Sequence, residues 1–197
     1  MSGIILIAAI TAYLIGSIPF GLLFARWLTG KDPRSHGSGN IGATNAMRTG
    51  GKKVGAFTLL ADILKGAIPV AIAIMLDSEQ LLVATVALAA FIGHIFPIYL
   101  GFKGGKGVAT MFGVVIPWIP WVAVGSFAVW LIVFRLTRYV SLASIIAGIV
   151  LPLFAWLLAA STEAVAACLL LGGLMTARHY SNIGRLWAGV EPKTGSS

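Results

Sequence analysis

Charged residues are scarce in this chain of 197 residues: Asp, Glu, Lys and Arg together make up 10% of it, and only 6 residues are acidic. Hydrophobic residues make up 58%, and the mean hydropathy is +0.96. Such a composition excludes a soluble globular protein and indicates an integral membrane protein. Because little sequence remains outside the apolar segments, we expect one polytopic domain over residues 1–197.

The chain is also short of cysteine and of clustered metal ligands. Cys168 is its only cysteine, which excludes an intramolecular disulfide and a thiolate metal cluster, and we interpret it as a small buried apolar residue. No His and carboxylate residues stand at metal-ligand spacing, so we expect neither a metal nor another cofactor. The net charge is +8, but the basic residues lie in short loops beside apolar segments, which favours a topological role over nucleic-acid binding.

Long apolar runs are what the chain has in abundance. A helix needs about 20 apolar residues to cross a bilayer, and runs of that length lie at Gly3–Trp27, Val54–Met75 and Leu81–Leu100. Two further runs, Ser141–Leu158 and Ala164–Ala177, are shorter but uninterrupted. The first run is too long for the h-region of a secretory signal peptide, and no basic residue precedes it. We therefore expect it to remain in the membrane as an anchor.

The segment from Val108 to Phe134 fits either one long kinked helix or two helices that turn at Pro117 and Pro120. Proline interrupts the helical hydrogen-bond ladder and the adjacent Trp residues favour the membrane interface, so local chemistry favours two helices. The first of them, Val108–Ile116, is too short to cross alone and is predicted to be a half-helix packed against its neighbours.

The distribution of basic residues supports the same count. With two helices there, the chain has seven spans, an external amino terminus and a cytoplasmic carboxyl terminus, and 13 of its 14 Lys and Arg residues fall on the cytoplasmic side. Only Lys65 lies inside a span, while Asp77, Glu79 and Glu163 fall on the opposite side. A single helix there would place the basic residues that follow it on the outer side of the membrane, against the positive-inside rule. We predict an all-α integral membrane protein of about seven transmembrane helices.

A loop of glycine and small polar residues follows the first span at residues 35–45 (SHGSGNIGATN). Glycine lets a backbone approach a ligand closely, and Ser, Thr and Asn side chains donate and accept hydrogen bonds. Backbone donors beside fixed positive charge indicate an oxyanion ligand, and a phosphate fits best. The basic residues that flank the loop are Arg26, Lys31, Arg34, Arg48, Lys52 and Lys53.

A second loop, residues 101–110 (GFKGGKGVAT), leads directly into the predicted half-helix. The N–H groups at a helix start, with Lys103 and Lys106 beside them, would form an anion cradle. This is not a Walker A loop, because Gly107 stands where that motif needs Ser or Thr and no strand precedes it. A tight turn with topological lysines is the alternative, and a second glycine-rich loop on the same side weakens it.

Polar residues also follow the last span, from Arg178 to Lys193. If the last helix continues, the i, i+3, i+6 spacing of His179, Asn182 and Arg185 places them on one face. That face would offer a proton carrier, an amide and a guanidinium fork. Topology alone would also account for a basic tail, and at this point both interpretations stay open.

Three ionisable residues lie within predicted spans. Asp62 and Lys65, three positions apart, are expected to neutralise each other. Intramembrane ionisable residues mark function as a rule, but a self-contained pair can serve structure, so both roles stay open for this pair and for His94. Pro19 is expected to kink the first helix and Pro69 the second.

The motifs resemble those of the bacterial acyl-phosphate:glycerol-3-phosphate acyltransferase family, PlsY. The resemblance covers essentially the whole chain, and three long motifs in order are highly specific. Two further segments, Gly16–Pro19 and Asp62–Gly66, are also similar to the family. The three main matches are Gly37–Asn45 with Arg48, Lys103–Thr110, and Arg178–His179 with Asn182, Ile183, Arg185, Gly189 and Glu191.

The resemblance implies an enzyme of the bacterial inner membrane that transfers a fatty acyl group from acyl phosphate to the 1-hydroxyl of sn-glycerol 3-phosphate. The products are lysophosphatidic acid and inorganic phosphate, in the first step of phospholipid synthesis. By resemblance, catalytic residues near the cytoplasmic face would be Ser38, Arg48, Lys106, His179 and Asn182. Substrate-binding residues would be Gly37, Gly39, Asn40, Thr44, Asn45, Lys103, Gly104, Gly105, Gly107, Thr110, Arg185 and Glu191.

This chemistry suits the residues, because phosphate leaves readily from an acyl phosphate and no covalent nucleophile is needed. The proton acceptor is either His179 or a phosphate oxygen of the substrate. The rival hypothesis is a small transporter of a phosphorylated solute, although a transporter would place its binding groups near the midplane. We expect a monomer in the lipid bilayer and a disordered tail at residues 194–197.

Overall fold

The computed structural model describes residues 2–76 and 79–194, and every regular element within them is helical, as the predicted all-α class requires. Two short 3₁₀ turns, Pro33–Ser35 and Ile98–Leu100, lie in loops. The α-helices are α1 Ser2–Ser17, α2 Phe20–Thr29, α3 Ala43–Gly50, α4 Lys52–Leu76, α5 Gln80–Ile95, α6 Val108–Trp118, α7 Pro120–Thr137, α8 Val140–Leu157, α9 Thr162–Arg178 and α10 Tyr180–Trp187.

Within the described residues, five segments are long and apolar enough to cross a membrane. They are Gly3–Thr29, Lys52–Leu76, Gln80–Leu100, Pro120–Thr137 and Val140–Leu157. Helices α6 and α9 are shorter, with 11 and 17 residues. These segments fit the multi-pass membrane protein that the composition predicts. Asp77, which the sequence places on the outer side, lies outside the described residues.

Prolines set several helix boundaries, because proline has no N–H and its ring crowds the preceding turn. The first span breaks at Ile18–Pro19, where Pro19 is the N-cap of α2. Pro120 is the first residue of α7 and follows Ile119, so the segment that allowed two interpretations forms two helices. Pro69, by contrast, lies inside α4, which remains one continuous helix through it.

The chain forms two compact units that divide after Trp118. In the first unit, α4 packs against α1, α2, α3, α5 and α6. Glycines bring the helix backbones together: a Cβ at Gly16 would overlap the Ala90 backbone of α5, and one at Gly113 would overlap the Ile63 oxygen of α4. Small residues are typical of helix interfaces in lipid, where close van der Waals packing drives association.

In the second unit, α8 packs against α7, α9 and α10. Helices α8 and α9 approach each other through Gly148 and Gly172, since a Cβ on Gly172 would overlap the Gly148 carbonyl oxygen. Trp130 of α7 donates its indole N–H to the Ser144 hydroxyl of α8 at 3.1 Å. The Phe134 ring stacks on the Trp130 ring with centroids 5.1 Å apart. Helix α8 therefore meets α9 through close backbone contact and α7 through the Trp130 hydrogen bond.

We expect Gly172→Ala to destabilise the fold and its neighbour Gly173→Ala to leave it intact. The added methyl meets the Gly148 carbonyl oxygen at position 172, whereas nothing lies within 4 Å of a Cβ at position 173. Overpacking costs about 1–3 kcal/mol, which lowers the melting temperature by several degrees. The methyl at position 173 instead adds helix propensity worth roughly 0.5–1 kcal/mol. Melting temperatures in one detergent test this, and equal values for the two variants would contradict the close contact of α8 and α9.

Candidate active site

Asn45 organises the first glycine-rich loop from the first turn of α3, where it is buried. Its Oδ1 accepts a hydrogen bond from the Ser38 N–H at 2.9 Å. Its Nδ2 donates to three carbonyl oxygens at 2.8, 3.1 and 2.9 Å, those of Pro33, His36 and Asn40. The amide of Asn45 is therefore engaged on both sides within the loop and holds the loop in a fixed curve around itself.

Glycine is required where this loop turns. Gly37 has φ 58°, and a Cβ there would overlap the Asn45 Oδ1. The loop ends where Asn40 Oδ1 accepts the Gly42 N–H at 3.0 Å, and α3 starts at the next residue with Thr44 in its first turn. A helix start carries N–H groups without intrahelical acceptors, and these attract anions. The loop thus leads into a helix start of the kind that attracts anions.

Basic side chains surround the first loop. Arg48, in the last turn of α3, has an exposed side chain, and so does Ser38 in the loop. Asp32 pairs with Arg34 at 2.7 Å and with Arg26 at 2.8 Å. Hydrogen bonding from Arg34, with a smaller contribution from Arg26, outweighs burial and holds the pKa of Asp32 far below its usual range. At neutral pH Asp32 is therefore an anion that orders two of the arginines beside the loop.

The second glycine-rich loop packs on the carboxyl end of α5. The Gly105 N–H donates to the His94 carbonyl oxygen at 3.1 Å, and a Cβ at Gly104 would overlap the same oxygen. A Cβ at Gly105 would overlap the His94 imidazole, and one at Gly107, where φ is 90°, would overlap the Phe91 ring. These glycines let the loop backbone lie closer to α5 than a side chain would permit.

Helix α6 begins at Val108, directly after this loop. Lys103 is exposed and Lys106 is half-buried. The first-turn N–H groups of α6 and these two ammonium groups together have the composition of an anion-binding site. Thr110 is fully buried instead, and its hydroxyl donates to the Asp62 carbonyl oxygen at 3.1 Å. Thr110 thereby attaches the first turn of α6 to α4.

Asp62, Lys65 and His94 form a buried ionisable cluster next to the second loop, with exposed fractions of 2%, 4% and 3%. The Lys65 Nζ lies 2.8 Å from Asp62 Oδ1, and the His94 Nδ1 lies 3.7 Å from the same oxygen. Lys65 also donates to the Ile18 carbonyl oxygen at 2.9 Å, at the break between α1 and α2. The predicted pairing of Asp62 and Lys65 is confirmed, and His94 joins it only in the fold.

In the second unit, the Glu191 carboxylate holds three polar side chains. Its Oε1 accepts from the Ser141 hydroxyl and from Asn182 Nδ2, and its Oε2 accepts from Arg185 Nε, each at 2.6 Å. Burial tends to raise the pKa of Glu191, but these hydrogen bonds and the Arg185 charge outweigh it and hold that pKa below its ordinary value. Glu191 is therefore ionised at neutral pH, and it fixes the orientation of Asn182 and Arg185.

The segment that carries Glu191 folds back on the start of α8. The Thr194 N–H donates to the Arg138 carbonyl oxygen at 2.9 Å, and the Lys193 Nζ lies 5.3 Å from the centre of the Tyr139 ring. The sequence predicts disorder for residues 194–197. Thr194 makes this backbone hydrogen bond, and residues 195–197 lie outside the described residues.

His179 lies at the junction between α9 and α10, with φ −93° and ψ 11°. The last span therefore does not run on as one helix, which was the condition for the single face predicted from the spacing. His179 Nδ1 lies 2.8 Å from the Met175 carbonyl oxygen. Because a carbonyl oxygen only accepts, the proton of the neutral ring sits on Nδ1 and the lone pair is on Nε2. His179 and Asn182 are both buried.

The predicted site residues fall into three sets within the described residues. Ser141, which holds Glu191, was missed by sequence reasoning, because it is 50 positions away and no local pattern marks it. No group of three or more His, Cys, Asp and Glu residues in the described ranges is arranged to hold a metal ion.

The three sets of predicted site residues are the first loop with α3 (Gly37, Ser38, Gly39, Asn40, Thr44, Asn45, Arg48), the second loop with α6 (Lys103, Gly104, Gly105, Lys106, Gly107, Thr110), and the carboxyl-terminal cluster (His179, Asn182, Arg185, Glu191).

Comparison with known proteins gives a consistent family. A family model described as glycerol-3-phosphate acyltransferase matches residues 6–189. A glycerol-3-phosphate acyltransferase of Thioalkalivibrio sulfidiphilus is 48% identical over 94% of this chain and 91% of its own length. A protein of the same name from Trichlorobacter lovleyi is 48% identical over 92% of this chain and 93% of its own length.

Two crystal structures of PlsY, an integral membrane glycerol 3-phosphate acyltransferase, resemble this chain closely. The glycerol 3-phosphate form superposes with a TM-score of 0.93 at 44% identity, and covers 98% of this chain and 96% of its own. The lysophosphatidic acid form superposes with a TM-score of 0.91 at 42% identity and the same coverage.

Acidification is expected to destabilise the protein in part through Glu191. A carboxyl whose pKa in the folded state lies below the ordinary value of 4.5 contributes stability that is complete above that value. This stability is lost as the pH falls through the folded-state pKa. Glu191→Gln should therefore flatten the decline of the melting temperature from about pH 5 to about pH 3. Glu163→Gln, in the first turn of α9, should keep the wild-type decline, and an unflattened profile in Glu191→Gln would contradict this role of the carboxylate.

Proposed function

This chain belongs to the glycerol-3-phosphate acyltransferase family, and we propose that its acyl donor is a fatty acyl phosphate. It is an integral membrane enzyme that acylates glycerol 3-phosphate. With an acyl phosphate as donor, the products are lysophosphatidic acid and inorganic phosphate. The transporter hypothesis has no remaining support, since it rested only on the spans and basic residues that it shares with this enzyme class.

The observation that carries the proposal is the second glycine-rich loop. Its backbone lies against α5 through Gly104, Gly105 and Gly107, it leads into α6, and it carries Lys103 and Lys106. Backbone N–H groups and ammonium groups of this kind bind phosphate. A reaction in which donor and acceptor both carry phosphate needs two such sites, and the first loop with α3 supplies the other.

We infer that the donor phosphate binds the second loop and that glycerol 3-phosphate binds the residues that the resemblance assigns to it. Arg48 is exposed beside the first loop, and its guanidinium fork suits bidentate binding of a phosphate. Asn182 and His179 offer a hydrogen-bonding amide and an imidazole. By the resemblance, the residues that line the joint site of the two substrates and hold glycerol 3-phosphate are Ser38, Arg48, Lys106, His179 and Asn182, of which Lys106 also belongs to the second loop.

In the proposed reaction the 1-hydroxyl oxygen of glycerol 3-phosphate attacks the acyl carbon. The carbon–oxygen bond to phosphate breaks, and phosphate leaves with the electron pair. Lys106 and the first-turn N–H groups of α6 stabilise the negative charge that develops, which is the kind of contribution that dominates many acyl transfers. The hydroxyl proton passes either to His179 Nε2, the ring nitrogen that carries no proton when Nδ1 donates to the Met175 carbonyl oxygen, or to an oxygen of the departing phosphate.

Three of the residues that resemblance assigns to substrate binding are proposed to position the site instead. Asn45 is engaged within the first loop, Thr110 bonds to the Asp62 backbone, and Glu191 is an anion held by Arg185. A carboxylate would repel a phosphate, so Glu191 serves better as the group that orients Asn182 and Arg185.

The topology proposed for the enzyme has seven spans, with α6 as the half-helix and α9 as the last span. The amino terminus lies outside and the carboxyl terminus in the cytoplasm of a bacterial cell, which puts the basic loops on the cytoplasmic face of the inner membrane. The polar loops lie at that face, where a phosphorylated water-soluble acceptor has access. The proposed functional form is a monomer.

The donor is tested by product formation with purified protein in detergent or lipid cubic phase. Palmitoyl phosphate and palmitoyl-CoA are offered in parallel, each with sn-glycerol 3-phosphate. We expect lysophosphatidic acid and equimolar inorganic phosphate from palmitoyl phosphate alone. Product from palmitoyl-CoA alone would overturn the donor assignment while leaving the family activity in place.

The role of the second loop is tested by Gly105→Ala. The added methyl overlaps the His94 imidazole, so the loop backbone must shift away from its phosphate-binding position. We expect the KM for acyl phosphate to rise about tenfold and to rise more than the KM for glycerol 3-phosphate. Gly173→Ala, which meets no atom within 4 Å, is the matched control. A donor KM that is unchanged in Gly105→Ala would remove the loop from the donor site.

A further inference from the structure

Asp32 stands at the entrance of the first glycine-rich loop and has no part in the reaction described above. Acidic residues are rare in this chain, 6 of 197, and the carboxylate of this one is 23% exposed. A carboxylate close to a site for phosphorylated substrates repels them. Its presence there is therefore expected to serve the loop in a way that outweighs the repulsion.

The Asp32 carboxylate binds two arginines that come from opposite directions along the chain. Arg34 donates through Nε to Oδ1 at 3.0 Å and through Nη2 to Oδ2 at 2.7 Å, the two-pronged pairing that suits a guanidinium and a carboxylate. Arg26, in the last turn of α2, donates to Oδ2 at 2.8 Å. Isolated exposed ion pairs add little stability, whereas two-pronged pairs within a network add more. Asp32 thereby ties the loop to the helix that precedes it.

Asp32 also holds both ends of the 3₁₀ turn Pro33–Ser35. As the N-cap, its Oδ1 accepts the Arg34 N–H at 2.9 Å. Its carbonyl oxygen accepts the Ser35 N–H at 3.2 Å and the Ser35 hydroxyl at 3.0 Å. His36 Nδ1 lies 2.9 Å from the same carbonyl oxygen. One residue therefore fixes the turn through its side chain and through its backbone.

The far side of this turn is bonded to α3 through Asn45. Its Nδ2 donates to the carbonyl oxygens of Pro33 and His36 at 2.8 and 3.1 Å, and its Oδ1 accepts the Ser38 N–H at 2.9 Å. The turn is thus held on the α2 side by Asp32 and on the α3 side by Asn45. Because Ser38 follows the turn after two residues, a displacement of the turn moves Ser38 relative to α3.

We propose that Asp32 is a positioning residue that locks the turn Pro33–Ser35 to α2 and thereby holds Ser38 in its place in the substrate site. The inference rests on the proposed function, since it takes Ser38 and Arg48 as residues of that site. Asp32 acts through the turn and does not touch the reacting atoms.

The first experiment measures kcat and KM for glycerol 3-phosphate in purified Asp32→Asn, per folded and active enzyme. Asn still serves as an N-cap, so the turn can form, but the charged pairing with both arginines is lost. We expect kcat/KM to fall about tenfold. Charge alone predicts the opposite sign, because the site becomes more positive and attracts the phosphate more strongly. Asp32→Glu keeps a carboxylate for the arginines and should recover part of the loss.

The second experiment reads the loop without any substrate. Trypsin cleaves the Arg34–Ser35 bond only when the turn opens, so the cleavage rate reports the population of the open loop. We expect this rate to rise about tenfold in Asp32→Asn, measured by mass spectrometry of the fragments. The Lys103–Gly104 bond of the second loop is the internal control and should be cleaved at the wild-type rate.

Glu163→Gln is the matched control variant, because it removes a carboxylate from the first turn of α9. It should keep the wild-type kcat/KM and cleavage rate. Arg26→Gln removes only the tie to α2 and should reproduce part of both effects. The double variant Asp32→Asn/Arg26→Gln should open the loop no further than Asp32→Asn alone, since Arg26 acts through Asp32. If Asp32→Asn does not fold, Asp32→Glu and Arg26→Gln decide the question by the same two measurements.

A wild-type kcat/KM or a wild-type cleavage rate in folded Asp32→Asn overturns the proposal. A lower KM with unchanged kcat also overturns it, because charge alone then accounts for the effect, and so does full additivity of the cleavage rates in the double variant. A role in folding alone would lower Tm and the active fraction and leave kcat/KM per active enzyme unchanged.

These results differ from a failure of the proposed function. If wild-type protein uses palmitoyl-CoA and not palmitoyl phosphate, the donor assignment fails, and kcat/KM for glycerol 3-phosphate is measured with palmitoyl-CoA. If Ser38→Ala and Arg48→Ala both keep wild-type activity, the proposed site fails and the inference fails with it. If Ser38→Ala is inactive while the Asp32 variants keep the wild-type kcat/KM, only the positioning role is lost.

Discussion

The ion pair between Asp62 and Lys65 is the interaction on which the first unit depends. Two charges removed from water within a membrane-spanning helix are costly unless each is paired and hydrogen-bonded. The break at Pro19 takes the Ile18 carbonyl oxygen out of the helical ladder, and Lys65 donates to it. The carbonyl oxygen freed by the break in the first span therefore accepts a hydrogen bond from the charged side chain in the second span.

Helix α4 carries this interaction and orders the rest of the unit along its length. Near its start, Gly55 packs against Met47 of α3; further along, Asp62 faces α5, and Gly66 admits Thr110 of α6. On the α4 side, each of these three contacts uses a glycine or a buried polar group. In lipid the apolar side chains gain little by leaving their surroundings, so close backbone approach and hydrogen bonds decide which helices meet.

Both units fix polar backbone and side chains of the proposed site in the same way. A buried polar side chain is bonded on several sides by nearby groups: Asn45 in the first loop, and Glu191 in the carboxyl-terminal cluster. Neither is free to act as a reagent, and each restricts groups that can bind phosphate or hydrogen-bond to substrate. This suits the proposed reaction, in which phosphate departs readily, because preorganised electrostatics and positioning can then supply the catalysis without a covalent intermediate.

The membrane class, the helical fold, the separation of α6 from α7 at Pro120 and the family could all be predicted from the sequence. These are properties of continuous segments, where hydropathy, proline and glycine act on their neighbours in the chain. The three polar motifs were recognisable for the same reason, and so was the pairing of Asp62 with Lys65 within one helix.

Only the tertiary structure decided which polar side chains of those motifs are hydrogen-bonded within the protein. In the sequence, Asn45 and Glu191 are polar residues of the motifs, just as Ser38 and Arg185 are. The hydrogen bonds of Asn45 and Glu191 within the protein form only when the loop and the tail fold. His94 beside Asp62, and Ser141 beside Glu191, are pairs of residues distant in sequence. The sequence by itself determined what each segment could form, because local chemistry depends on neighbours along the chain. The fold decided which polar groups hydrogen-bond to one another, because a hydrogen bond depends on distance in space.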